Sequence, residues 1–237
     1  MKIFISFISS IILLLSLSSF AQESPLWLRY PAISPNGEMI LFNYQGDIYK
    51  VPAKGGSAMP LTLSNSYEYS AVWSHDGNQV AFASDRYGNF DVFVMPFEGG
   101  EATRLTYHSN SEKPSDFSRD NKNVIFSTNR QDLYTNVQFP SAVSSGRASQ
   151  ITTSPAHDAT YSPDGKKIIY HDRKGYENEW RKHHTSAVTR DIWVYDTETK
   201  EYAQLSSWEG ENRSPVFDTN GEDFYYLSEE SGSFNVH

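Results

Sequence analysis

The chain has 237 residues, with 29 acidic against 20 basic side chains and a formal net charge of −9. That balance excludes a surface built for phosphate backbones, so no nucleic-acid partner is expected. The lack of any cysteine excludes a disulfide scaffold, and packing of a 14% aromatic content must supply the stability.

Residues 1–21 read as a secretory signal. Lys2 gives the positive start, residues 11–15 are an unbroken apolar run, and Ser19-Phe20-Ala21 offers small residues for cleavage. The segment is too short and wrongly flanked for a stable anchor, and no later stretch is apolar enough to span a bilayer. The expectation is an exported, periplasmic protein without a membrane anchor, whose mature part is residues 22–237.

A phrase then returns five times. It opens at Tyr30-Pro31-Ala32-Ile33-Ser34-Pro35-Asn36-Gly37, passes Ile40-Leu41-Phe42 and Asp47-Ile48-Tyr49, and closes at Leu61-Thr62. The turn recurs as Ser74-His75-Asp76-Gly77, Ser118-Arg119-Asp120-Asn121, Ser162-Pro163-Asp164-Gly165 and Asp218-Thr219-Asn220-Gly221, at steps of 40, 44, 44 and 56 residues. Within each unit the apolar period is two, and Asp-Gly or Asn-Gly pairs between apolar runs signal hairpins. Third strands are expected at Asp47, Asp91, Asp132, Asp191 and Asn235. Four short strands in about 40–45 residues specify one propeller blade. The fold expected is therefore all-β: a propeller of four-stranded blades, with four complete blades and a partial fifth, taken from a six-bladed ring. The unit interrupted at His237 reads as the N-terminal portion of an incomplete domain.

The fourth unit carries an insertion of about fifteen residues over 175–190. It gathers Trp180, Arg181, Lys182, His183, His184 and Arg190 on an acidic chain. Loops that leave a rigid repeat are where binding groups concentrate, so these residues are candidates for peptide or interdomain contact. A surface loop covering its own blade is the alternative. Adjacent His183 and His184 cannot easily aim both rings at one ion, and no metal is expected. Asp76, Asp120 and Asp164 occur once per blade at the hairpin position, which points to turn carboxylates capping their own backbone. No Gly-x-Ser-x-Gly elbow or phosphate loop is present, so no catalytic residue and no cofactor is assigned.

The turn phrases and Arg104-Leu105-Thr106 resemble the repeat of TolB-type secreted propellers. Trp180-Arg181-Lys182-His183-His184-Thr185-Ser186 with Thr189-Arg190-Asp191-Ile192-Trp193 resembles the first propeller of tricorn-like serine proteases. That resemblance implies a non-catalytic segment gating or positioning peptides for hydrolysis by a C-terminal domain elsewhere in a longer polypeptide. Its partners would be peptides and the downstream domains, with homo-oligomerisation left open. The family anchors substrate carboxylates on adjacent arginines, and this chain has no adjacent pair. Two other readings stand: a TolB-type periplasmic protein-binding propeller without enzyme activity, and the propeller cap of a prolyl-oligopeptidase-like enzyme.

Overall fold

The computed structural model describes residues 27–130, 139–144, 147–173 and 185–237. Every sheet is an antiparallel meander whose strand order follows the chain. The first blade contains β1 (Arg29–Ile33), β2 (Met39–Tyr44), β3 (Asp47–Pro52) and β4 (Met59–Pro60). The second contains β5 (Glu68–Trp73), β6 (Gln79–Ser84), β7 (Asp91–Pro96) and β8 (Thr103–Arg104). The third contains β9 (Glu112–Phe117), β10 (Val124–Thr128), β11 (Phe139–Val143) and β12 (Ser149–Gln150). The fourth contains β13 (His157–Tyr161), β14 (Lys167–His171), β15 (Ile192–Asp196) and β16 (Tyr202–Gln204). A three-stranded fifth sheet holds β17 (Asn212–Phe217), β18 (Phe224–Ser228) and β19 (Asn235–Val236). Among the described residues no helix is long and apolar enough to cross a membrane.

The repeated turn works through its serine. Ser74 Oγ–H donates to Asp76 Oδ1 at 2.6 Å, and the same Oγ accepts the Gln79 N–H at 2.8 Å. Gly77 takes φ +73°, which a residue with a Cβ adopts only under strain. Ser34, Ser118 and Ser162 repeat this pattern with Asn36, Asp120 and Asp164. The closing threonine has an equally local task. Thr62 Oγ1 accepts the Ile48 N–H at 2.9 Å, Thr106 the Val92 N–H at 2.9 Å, and Ser206 the Ile192 N–H at 3.0 Å. Each hydroxyl thus satisfies a buried N–H at the start of a third strand.

One expectation is corrected. The third strand of the third blade is Phe139–Val143, paired from Val124↔Val143 to Thr128↔Phe139, and does not start at Asp132. Fifteen residues separate Asp47 from Thr62, Asp91 from Thr106 and Asp191 from Ser206. The same count back from Thr152 reaches Val137, two residues short of Phe139, and not Asp132. It lies outside the described residues.

Apolar alternation on the second strand of a blade feeds two cores. Val80 and Phe82 join Leu41, Ile48 and Trp73 against the first blade. Ala81 joins Phe117, Val124 and Phe126 against the third. The second strand is therefore buried on both faces, and each fully buried side chain contributes about 1.5–3 kcal/mol. The inner strands touch in sequence, β1 to β5, β5 to β9, β9 to β13 and β13 to β17. The outermost sheets keep uncovered faces. Leu41, Ala81, Ile125 and Ile169 share one repeat position at 0% exposure, whereas Tyr225 at that position is 50% exposed. Ile33 is 64% exposed where Trp73 and Phe117 are buried.

Candidate functional site

The inner strands β1, β5, β9, β13 and β17 line an axial cavity of about 710 Å³. Each inner strand carries a bulge at one repeat position, four residues before the turn serine or its Asp218 counterpart. Tyr30, Ser70, Asp158 and Ser214 occupy it with φ between 50° and 56°. The register of each strand against its neighbour shifts there. A non-glycine residue in this region costs about 1–3 kcal/mol, so packing must hold it there. In the third blade Pro114 takes the position, and the shift against β10 persists. Pro31 and Pro215 follow the bulge in the first blade and the fifth sheet. Prolines and bulges interrupt the hydrogen-bonding edge that the inner strands turn to the cavity, which blocks addition of another strand.

Two polar groups stand at opposite ends of these strands. At the turn end, His75 Nε2 is 2.8 Å from the Phe117 carbonyl and 3.5 Å from Asp116 Oδ1. Arg119 Nη1 is 3.0 Å from His75 Nδ1, while its Nε and Nη2 donate to the carbonyls of Ser162 and Tyr161. This set ties three blades together. Burial pushes the Asp116 carboxyl up against the opposing effect of the Tyr161 N–H and His75.

At the other end, Lys113 Nζ donates to Asp158 Oδ1 at 3.0 Å. Asp158 Oδ2 accepts from Ser214 Oγ at 3.3 Å and lies 3.9 Å from His171 Nδ1. The Ser214 N–H donates to His171 Nδ1 at 3.2 Å, which places the imidazole proton on Nε2. The His157 and His171 rings stack at 5.7 Å. Burial is the main cause that holds His171 down at about 4, with Asp158 opposing it and Arg190, Lys113 and Arg213 assisting. Burial and the neighbouring His171 hold His157 at about 3. Burial would raise Asp158, but Lys113 and His171 outweigh it and keep the carboxyl below its ordinary range. At neutral pH this end holds one ion pair beside two neutral imidazoles.

Trp180, Arg181, Lys182, His183 and His184 lie outside the described residues. Arg190 is buried, and its Nη1 donates to Glu211 Oε1 at 2.6 Å. Its carbonyl accepts the Asn212 N–H, so Arg190 joins the fourth blade to the fifth sheet. Asp76, Asp120 and Asp164 sit in their turns, held below the ordinary carboxyl range chiefly by the serine hydroxyls. Among the described residues no three His, Asp or Glu side chains are grouped to hold a metal. Sequence reasoning missed the channel cluster. The signal available was the pair at the bulge, which varies as Arg29-Tyr30, Tyr69-Ser70, Lys113-Pro114, His157-Asp158 and Arg213-Ser214 while the turn stays constant.

Among solved structures, the tricorn protease superimposes with a TM-score of 0.75 at 20% identity, over 90% of this chain and 21% of that one. A protein assigned as TolB from Agrobacterium tumefaciens gives 0.72 at 18% identity, over 90% and 73%. TolB from Acinetobacter baumannii gives 0.68 at 20% identity, over 89% and 51%. The chain thus spans about half of the second TolB and about a fifth of the tricorn protease, and these likenesses show the fold. No curated protein sequence matches it. Residues 25–237 match the family described as the tricorn protease N-terminal β-propeller domain, and the chain belongs to that family.

Proposed function

We propose that this propeller is a non-catalytic binding module of an exported protein, taking an extended polypeptide segment into its axial channel. The observation that carries this is the side-chain-lined cavity along five consecutive inner strands, whose edges are barred to strand pairing. The Lys113–Asp158 ion pair, His75, Arg119 and the exposed Tyr30 ring line the cavity and offer both polar and apolar contacts, which suits peptides of varied sequence. A ring completed to six blades belongs to this reading, because the exposed faces at Ile33 and Tyr225 are buried at equivalent positions elsewhere. Residues 1–21 serve as its export signal, and Trp180, Arg181, Lys182, His183 and His184 remain candidates for peptide or interdomain contact. A photo-crosslinking peptide tests the channel. Adducts should map to β1, β5, β9, β13 and β17; adducts confined to the outer strands would overturn the proposal.

A second reading places this module at the front of a serine peptidase, where it gates peptides for a C-terminal catalytic domain. The family match over residues 25–237 favours it. Peptide hydrolysis by the native polypeptide containing this propeller, compared with the same polypeptide lacking it, is the test. An unaltered product spectrum without the propeller would sink the gating role.

A further inference from the structure

An aromatic cluster stands on the first- and second-blade side of the channel, at the end that holds Lys113. Tyr69 is its centre, with ring centroids 5.4 Å from Tyr30, 6.2 Å from Tyr67 and 4.8 Å from Phe90. Tyr67 and Phe90 meet edge-on at 6.3 Å. Tyr30 and Tyr67 are exposed, at 40% and 43%. We propose that this rim docks a proline-containing segment in the polyproline II conformation, a refinement that rests on the channel reading above.

Four observations converge on that occupant. First, no cation among the described residues is stacked on these ring faces. Exposed Tyr87 and Tyr107 are both covered by the Arg104 guanidinium, at 4.3 and 4.6 Å from the ring centres. Among the described residues no cation lies over Tyr30, Tyr67, Tyr69 or Phe90 in that way. Second, the hydroxyls of Tyr30, Tyr67 and Tyr69 have no hydrogen-bond partner among the described residues, and Lys113 lies near Tyr69 and Tyr30. Burial nonetheless raises the Tyr69 hydroxyl above its ordinary value, so it stays a protonated donor.

Third, the neighbouring carboxylate is engaged. Asp158 spends one oxygen on Lys113 and the other on Ser214. Lysine and carboxylate are thus spent on each other, and the tyrosine hydroxyls remain to donate to a ligand carbonyl. Fourth, the bulges and prolines of the inner strands deny the ligand a backbone ladder. Proline answers each of these conditions. It brings a carbonyl acceptor without an N–H, its ring packs flat on aromatic faces, and the polyproline II backbone keeps its carbonyls unpaired. Uncovered ring faces and hydroxyl donors thus favour a segment that brings flat apolar rings and unpaired carbonyls.

The test uses the full chain and two short fluorescein-labelled peptides of equal charge, one with a Pro-x-x-Pro pattern and one with alanine for each proline. Anisotropy titration should give the proline peptide at least ~10-fold tighter binding. The double variant Tyr30→Ala/Tyr67→Ala should weaken the proline peptide by ~10-fold or more and the alanine peptide by less than ~2-fold, since truncating aromatic anchors dominates such interfaces. Tyr69→Phe keeps the ring and removes one donor, for a loss of roughly 2- to 10-fold. Equal affinity for both peptides overturns the proline preference and leaves the channel reading standing. Binding of neither overturns both. Unchanged affinity in the double variant with a persisting proline preference overturns the site.

Discussion

Acidification should weaken this fold through His171. The side chain is buried, and its pKa falls from the ordinary 6.5 to about 4 on folding. The unfolded chain then binds a proton across the interval from 6.5 to 4 that the folded chain refuses. Stability is complete above pH 6.5 and declines as pH drops through that window. Linkage over this shift removes about 2 kcal/mol between about pH 7.5 and about pH 5. With a urea dependence of about 2 kcal/mol per molar, the midpoint should move by roughly 1 M. The assay is urea unfolding followed by tryptophan fluorescence at both pH values, on the wild type and on His171→Asn. Asparagine stays neutral and offers an oxygen to the Ser214 N–H that His171 Nδ1 now accepts. The variant should lose about 2 kcal/mol less than the wild type on acidification, while carboxylate effects common to both cancel. Equal acid losses in the two proteins would refute the reasoning.

Three further outcomes follow from the packing. Arg190→Met strands the buried Glu211 carboxylate and should cost about 3–5 kcal/mol, most of it recovered in Arg190→Met/Glu211→Leu, as read by chemical denaturation. Ile169→Ala empties a site at 0% exposure and should cost about 2–5 kcal/mol, whereas Tyr225→Ala at the equivalent but half-exposed position should cost under about 1 kcal/mol. Comparable losses in the two would contradict the uncovered face of the fifth sheet. Ser162→Ala removes the hydroxyl that bonds both Asp164 and the Lys167 N–H, and a drop of about 1 kcal/mol is expected from thermal unfolding.

The turns were legible because their chemistry is local. Ser74, Asp76, Gly77 and Gln79 lie within six residues, so the hydrogen bonds that define the turn are written in adjacent positions. The strands with alternating apolar residues followed from the same short-range pattern. Asp132 misled for the same reason, since a local likeness to Asp91 and Asp191 says nothing of strand pairing. Counting back from Thr152, whose equivalents cap the third strand, would have avoided it. Arg190 neighbours a basic loop in the sequence, while its ion-pair partner Glu211 stands 21 residues away, beyond the reach of a local pattern.

By itself the sequence determined the blade, its period, the turn carboxylates and the propeller that such blades form. Repetition carries that information, because each unit buries its faces only against a copy of itself. Only the tertiary structure decided what the channel offers. Lys113, Asp158, His171 and Ser214 come from three successive sheets and are 101 residues apart at the extremes. Their meeting depends on the inward bulge of each first strand, a feature of strand register across the molecule that no single window of sequence encodes.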